Sequence, residues 1–267
     1  MFATRSPRTA LFLLSAVALL LAACERQSPS GPGPVSGPAE APVETETWDA
    51  FVERYIEEHL AAHPQFAVTQ GRHEYDGQLP DWSRAGIERE IARMHAARDA
   101  AMAFPAERLT DQQRYQREYL VAWLDHDLFW AEKARWPFRN PQFYFGWLND
   151  SLDPAPYITL NYAPIEQRMA AFTRYLENIP LAAQQIRENL EMPMPLTWLQ
   201  LGIDSFGGYA AYFENDVPAI WTEVEDEELQ AAFATANAAA VEAMAGLAEW
   251  LESNRETATD GFALGPD

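Results

Sequence analysis

Few residues in this chain can do chemistry, and the first of them is a thiol. Cys24 is the only cysteine, and it follows Leu21, Ala22 and Ala23 at the end of an apolar run that begins behind Arg5 and Arg8. A thiol in that setting is an acyl acceptor. The arginines hold the amino terminus on the cytoplasmic side, residues 10–21 insert as a segment too short for a stable span, and two small alanines let a peptidase reach the bond before Cys24. Acyl chains on the sulfur and on the new amino group would then anchor the mature chain to a membrane. This use of Cys24 leaves no thiol for a disulfide, a thiolate metal site or a cysteine nucleophile.

The five histidines carry the remaining candidates. His59 and His63 stand four apart in a helical pattern, the spacing with which two imidazoles share a zinc ion. Position 60 is Leu, not the Glu that would act as base, and Pro64 ends the helix at once, so the pair reads as a solvent-facing helix end. His73-Glu74 begins like a zinc motif but runs into Asp76-Gly77, a turn. His126 lies between Asp125 and Asp127, a base beside carboxylates, although neighbours on a helix point in different directions. The run Glu223, Glu225, Asp226, Glu227, Glu228 is read as a solvated helix start favoured by the macrodipole. No serine nucleophile elbow, phosphate-cradling glycine loop or Walker pattern occurs. The chain is therefore expected to carry no catalytic residue, no metal ligand and no cofactor of its own.

The elements that would position these residues are helices. Residues 1–23 read as a signal peptide. Residues 24–46 read as a lipid anchor and a tether rich in Pro, Gly and Ser. Residues 47–267 read as an all-α, bundle-like array of helices. Trp48, Phe51, Val52, Tyr55, Ile56 and Leu60 form one apolar stripe that stops before Pro64. A second helix starts near Ser83 with Ile87, Ile91, Met94 and Met102. A third opens on the capping box of Thr110 and Gln113 and carries Tyr115, Tyr119, Trp123 and Trp130. Further helices are expected at about 164–178, 181–191, 197–215 and 226–254, with short extended pieces allowed around residues 157–160. No segment after the signal is long and apolar enough to cross a bilayer. Residues 136–162 read as a loop rich in rings: Phe138, Phe143, Tyr144, Phe145, Trp147 and Tyr157 either plug the core or line a cleft for peptide or sugar. With 40 acidic against 19 basic residues and a net charge of −21, nucleic acid is excluded as a partner.

The stretch from His63 to Ser83 resembles the amino-terminal signature of the bacterial domain-of-unknown-function 885 family. Pro64, Gly71, His73, Tyr75, Asp76, Leu79, Asp81 and Ser83 match, with Val68-Thr69 in place of the usual Ala-Thr. Arg174-Tyr175-Leu176 before Ile179-Pro180, Arg187-Glu188-Asn189-Leu190, and Gly261-Phe262-Ala263-Leu264-Gly265 are similar too. The resemblance implies a longer helical, zincin-like protein whose carboxy-terminal half holds a zinc peptidase motif, so that zinc is expected only in a full-length member. This chain would supply one wall of a peptide cleft, with His73, Asp76, Asp81, Tyr144 and Trp147 as contacts. Its partners would be a membrane through the lipid, a peptide substrate and the carboxy-terminal half of the same protein. The location would be the envelope of a Gram-negative cell, and Glu25 after Cys24 favours the outer membrane, facing the periplasm. The alternative is a non-catalytic envelope lipoprotein that binds peptides or glycans through the aromatic loop.

Overall fold

The structure, a computed structural model, describes residues 46–146 and 151–261. Cys24, the tether, Trp147 and the terminal Phe262-Ala263-Leu264-Gly265 motif lie outside them. Among the described residues every regular element is helical and no strand occurs. Helix α1 (Trp48–Ala62) starts where the Thr47 hydroxyl accepts from the Ala50 N–H at 3.3 Å. It stops at His63, and Pro64 opens α2 (Pro64–Thr69), where a missing N–H costs nothing. Helix α3 (Arg84–Ala103) is capped by Ser83, whose hydroxyl accepts from Gly86 N–H. Helix α4 (Asp111–Leu128) has both halves of its capping box, Gln113 N–H to the Thr110 hydroxyl at 3.3 Å and Thr110 N–H to Gln113 Oε1 at 3.0 Å. Beyond Leu128 the helix widens into one π-helical turn, Phe129–Lys133, before Arg135 in the left-handed region turns the chain into α5 (Trp136–Arg139).

The main core is built from three long helices, α7 (Ile165–Asn189), α8 (Leu196–Asn215) and α10 (Glu227–Ser253), with the short α6 (Ala155–Thr159) ahead of α7 and α9 (Val217–Ile220) between α8 and α10. The Asp226 carboxylate caps α10 by accepting from the Glu228 and Leu229 N–H groups. Three expectations are corrected here. Residues 165–189 are one helix with Pro180 inside it. Proline costs an interior helix about 3 kcal/mol, but Phe172, Leu176, Ile179, Ala183 and Ile186 on either side of it share one buried face, and that packing wins. Residues 155–159 are a turn of helix, not an extended piece. Helix α10 is long and apolar enough to cross a membrane, with a mean hydropathy of 1.3 over its most apolar window. Its Phe233, Ala240, Met244, Leu247 and Leu251 are nevertheless buried in the core it shares with α7 and α8.

A second, smaller group of helices consists of α1, α3 and α4. Trp48 and Phe51 pack with Ala101 and Leu109, while Met94 and Ala97 pack with Leu124, Leu128 and Ala131. The aromatic stripe of α4 does not face this core. Leu120, Leu124 and Leu128 do, leaving Tyr115 at 69 %, Tyr119 at 59 % and Trp123 at 41 % exposure. The aliphatic stripe takes the interior because it has no polar atom to satisfy, whereas tyrosine and tryptophan tolerate a wet edge. Met102 also lies outside, at 55 % exposure, while its neighbour Ala101 is buried.

Candidate functional site

The segment from Gly71 to Ser83 is a staple. His73 Nδ1 lies 3.1 Å from Asp76 Oδ1, and its ring stacks on Tyr162 with centroids 3.7 Å apart. The Tyr162 hydroxyl donates to Asp76 Oδ2 at 3.1 Å, and burial together with the Asp76 charge pushes that hydroxyl well above its ordinary pKa. Gly77 N–H donates to the Tyr157 hydroxyl at 2.9 Å, the Asn178 amide donates to Gly77 O at 2.9 Å, and the Gln65 amide bridges Gln78 O and the Tyr157 hydroxyl. His73 and Asp76 thus fasten the turn to the segment that precedes α7, and neither is in the lining of the cavity that Asp81 reaches. Both were nominated as cleft contacts, and within the described residues they hold the turn in place.

Tyr144, the third nominee, lies in the core. It is fully buried, donates to Pro137 O and meets Trp82 edge to face. Phe138 and Tyr157 are buried with it, so these rings plug the core, where apolar area gains most. Asp81 alone among the described nominees reaches a cavity. Its Oδ1 accepts from Ser83 N–H at 3.0 Å and the Gln185 amide at 3.1 Å, and Oδ2 is paired with Arg89. Gly86 is needed beside it, because a Cβ there would sit 2.0 Å from Asp81 O.

That cavity, about 330 Å³, opens between the end of α1, the first half of α3, the end of α4 with its π turn, and α5. Its polar wall is a single network. Arg93 binds Glu90 through both carboxylate oxygens, Nη2 to Oε1 at 2.6 Å and Nε to Oε2 at 2.7 Å. The same Nη2 approaches His59 Nδ1 at 3.3 Å, while His63 Nε2 lies 3.1 Å from Glu90 Oε1. Tyr55 stacks over His59, and the Arg93 guanidinium lies 5.7 Å from the centre of the Tyr55 ring. Burial pushes the Glu90 carboxyl up, but the hydrogen bonds from Arg93 and His63 outweigh it and hold the group at about 2. Burial, with the neighbouring His63 and Arg93, pushes His59 down to about 3, so its imidazole is neutral. On the opposite wall His126 Nδ1 lies 3.0 Å from Asp127 Oδ1 and its Nε2 accepts from Trp130 Nε1 at 3.0 Å. Trp130 packs against Trp136 at 4.3 Å.

His59 and His63 are therefore not a solvent-facing helix end. They line the cavity because His63 closes α1 and Pro64 swings the chain away only after both rings have turned towards α3. Adjacent His126 and Asp127 do meet, since the short aspartate can bend back along the helix to the imidazole of its neighbour. A zinc ion does not fit the histidine pair: the Arg93 guanidinium faces Nδ1 of one imidazole, and Glu90 is committed to the other and to Arg93. No group of three metal-binding side chains occurs among the described residues. The purified chain should accordingly hold less than a tenth of an equivalent of zinc after dialysis, and elemental analysis giving one zinc per chain, lost in His59→Ala, would contradict this.

Sequence reasoning missed Glu90 and Arg93. Glu90 and Arg93 lie between Ile87, Ile91 and Met94 on the apolar side of α3, and a charged pair three apart inside such a stripe was the available signal. Asp127 was named beside His126, but the π turn that presents the neighbouring Trp130 to the same wall is invisible in periodicity.

A sequence pattern shared by bacterial proteins of unknown function, DUF885, matches residues 64–267. No curated protein matches the chain. Among solved structures, a candidate lipoprotein of unknown function from Shewanella oneidensis has the same fold, with a TM-score of 0.70 at 20% sequence identity. The alignment covers 79% of this chain and 38% of that one, so the chain spans well under half the length of this neighbour. Because the family pattern runs from Pro64 at the start of α2 through the staple and all three core helices, the chain belongs to the bacterial DUF885 family.

Proposed function

We propose that this protein is an envelope lipoprotein, anchored through acylated Cys24, whose helical region holds peptide in the cavity between α1, α3 and α4. In a family-length protein that region would serve as the binding part of a zinc-dependent peptidase whose metal motif lies outside the residues described. The observation that supports this reading best is the cavity itself. It joins aromatic walls to polar groups already fixed against one another, which is the composition of a binding site and not of a nucleophile with its base. The non-catalytic reading, a module for peptides or glycans, draws on the exposed Tyr115, Tyr119 and Trp123 stripe of α4. The cell would be Gram-negative, with the chain on the periplasmic side of the outer membrane.

Two measurements test this. Cys24→Ser should abolish labelling by a fatty-acid probe and leave unprocessed precursor in the membrane fraction; equal labelling of the variant would sink the anchor. A fluorescent peptide pool should bind the full chain, and Ala62→Trp, which fills the cavity from the end of α1, should cut that binding by about tenfold or more. Undiminished binding to the filled variant would remove the cavity from the account.

A further inference from the structure

Three carboxylates line the cavity, and they differ in one respect. Asp81 is paired with Arg89, and Glu90 is paired with Arg93. Asp127 has no arginine or lysine within ion-pair distance among the described residues; its partner is the imidazole of His126. The Asp127 side chain is only 20% exposed, so water satisfies it poorly, and burial pushes its carboxyl up, with His126, His63 and, last, a hydrogen bond from the Trp123 side chain opposing. Its charge also acts on the Tyr55 hydroxyl across the cavity, which burial already pushes up. Trp130 and Trp136 complete the wall. A half-desolvated carboxylate among aromatic rings favours an organic cation, which gains an ion pair and ring contacts together. A metal ion would need several more oxygen ligands than one carboxylate can give.

We propose that the cavity selects peptides carrying a cationic group, an ammonium or guanidinium, which docks on Asp127 between Tyr55 and Trp130. This rests on the peptide-holding reading above and names the chemistry it selects. The acid-rich chain, at −21, steers such ligands towards it.

The test uses the full chain and four probes of equal length. They are acetyl-Phe-Lys-Phe-amide, its Nε-acetylated form, Phe-Gly-Phe-amide with a free amino terminus, and the same peptide acetylated. At least one cationic probe should bind about tenfold tighter than its acetylated partner, the gain expected of one charge-assisted hydrogen bond. Which pair shows the gain distinguishes a side-chain ammonium from an amino terminus. Asp127→Asn, which keeps the shape of the side chain, should lose the preference, and a cooperative urea unfolding transition reports that the variant is folded. Equal binding of charged and acetylated probes, or a preference that survives Asp127→Asn, overturns the cation site and leaves peptide binding standing. If no probe binds, both readings fall.

Discussion

Replacing Gly77 by alanine should lower the unfolding free energy by about 3 kcal/mol or more, and the melting temperature by about 6–12 °C. Gly77 has φ +84°, a conformation that costs any side-chain-bearing residue. A Cβ there would also lie 2.6 Å from Arg174 Cβ and 3.1 Å from Ala171 O, on the helix to which the turn is stapled. Neither contact can yield at the tip of a flexible chain, so α7 or the turn must move. Movement would break Gly77 N–H to Tyr157 and Asn178 to Gly77 O together. The family signature around His73 and Asp76 is therefore a fold determinant, and a calorimetric scan that found wild-type stability in Gly77→Ala would refute that role.

Arg93→Met should cost about 2–3 kcal/mol at neutral pH, because it leaves the Glu90 carboxylate in the cavity wall without its bidentate partner; the figure is reduced because Glu90 is 26% exposed. The pH dependence follows from the two depressed groups. Glu90 is held at about 2 in the folded protein, below the ordinary 4.5 of a glutamate, so its contribution is present above about 4.5 and is lost as the pH falls towards 2. His59 is held at about 3 against 6.5 unfolded, so folding disfavours its protonation and stability declines as the pH falls from 6.5 towards 3. Wild-type stability should thus fall on acidification below about pH 6.5. Arg93→Met has already lost most of the Glu90 contribution, so the two curves should converge at low pH. Urea unfolding at pH 7, 5 and 3.5 measures the gap, and a gap that stayed constant would show that the Glu90–Arg93 pair does not titrate as argued.

What was legible in the sequence was local. Thr110 with Gln113, Ser83 before α3 and Asp226 before α10 each satisfy backbone groups within three residues of themselves, so a short window contains the whole interaction. Pro180 misled because a window centred on it sees the missing N–H but not the buried face that packs on α10. The aromatic stripe of α4 misled because rings and leucines both repeat at helical spacing, and only the surface of α3 decides which faces inward. The cavity was illegible for the same reason: His63 meets Glu90 and His59 meets Arg93 across 27 and 34 residues of chain. Resemblance pointed to the His73 segment, where the residues turned out to serve packing, and away from the helix ends where the charged groups converge.

The central claim is that ligand binds between α1, α3 and α4, and hydrogen exchange read by mass spectrometry tests it most directly. The full chain with saturating acetyl-Phe-Lys-Phe-amide should show slowed exchange in peptides spanning residues 55–63, 87–94 and 124–136, while residues 205–212, which line a separate cavity against residues 153–159, stay unchanged. Protection confined to that second cavity, or no protection anywhere at a saturating concentration, would contradict the account.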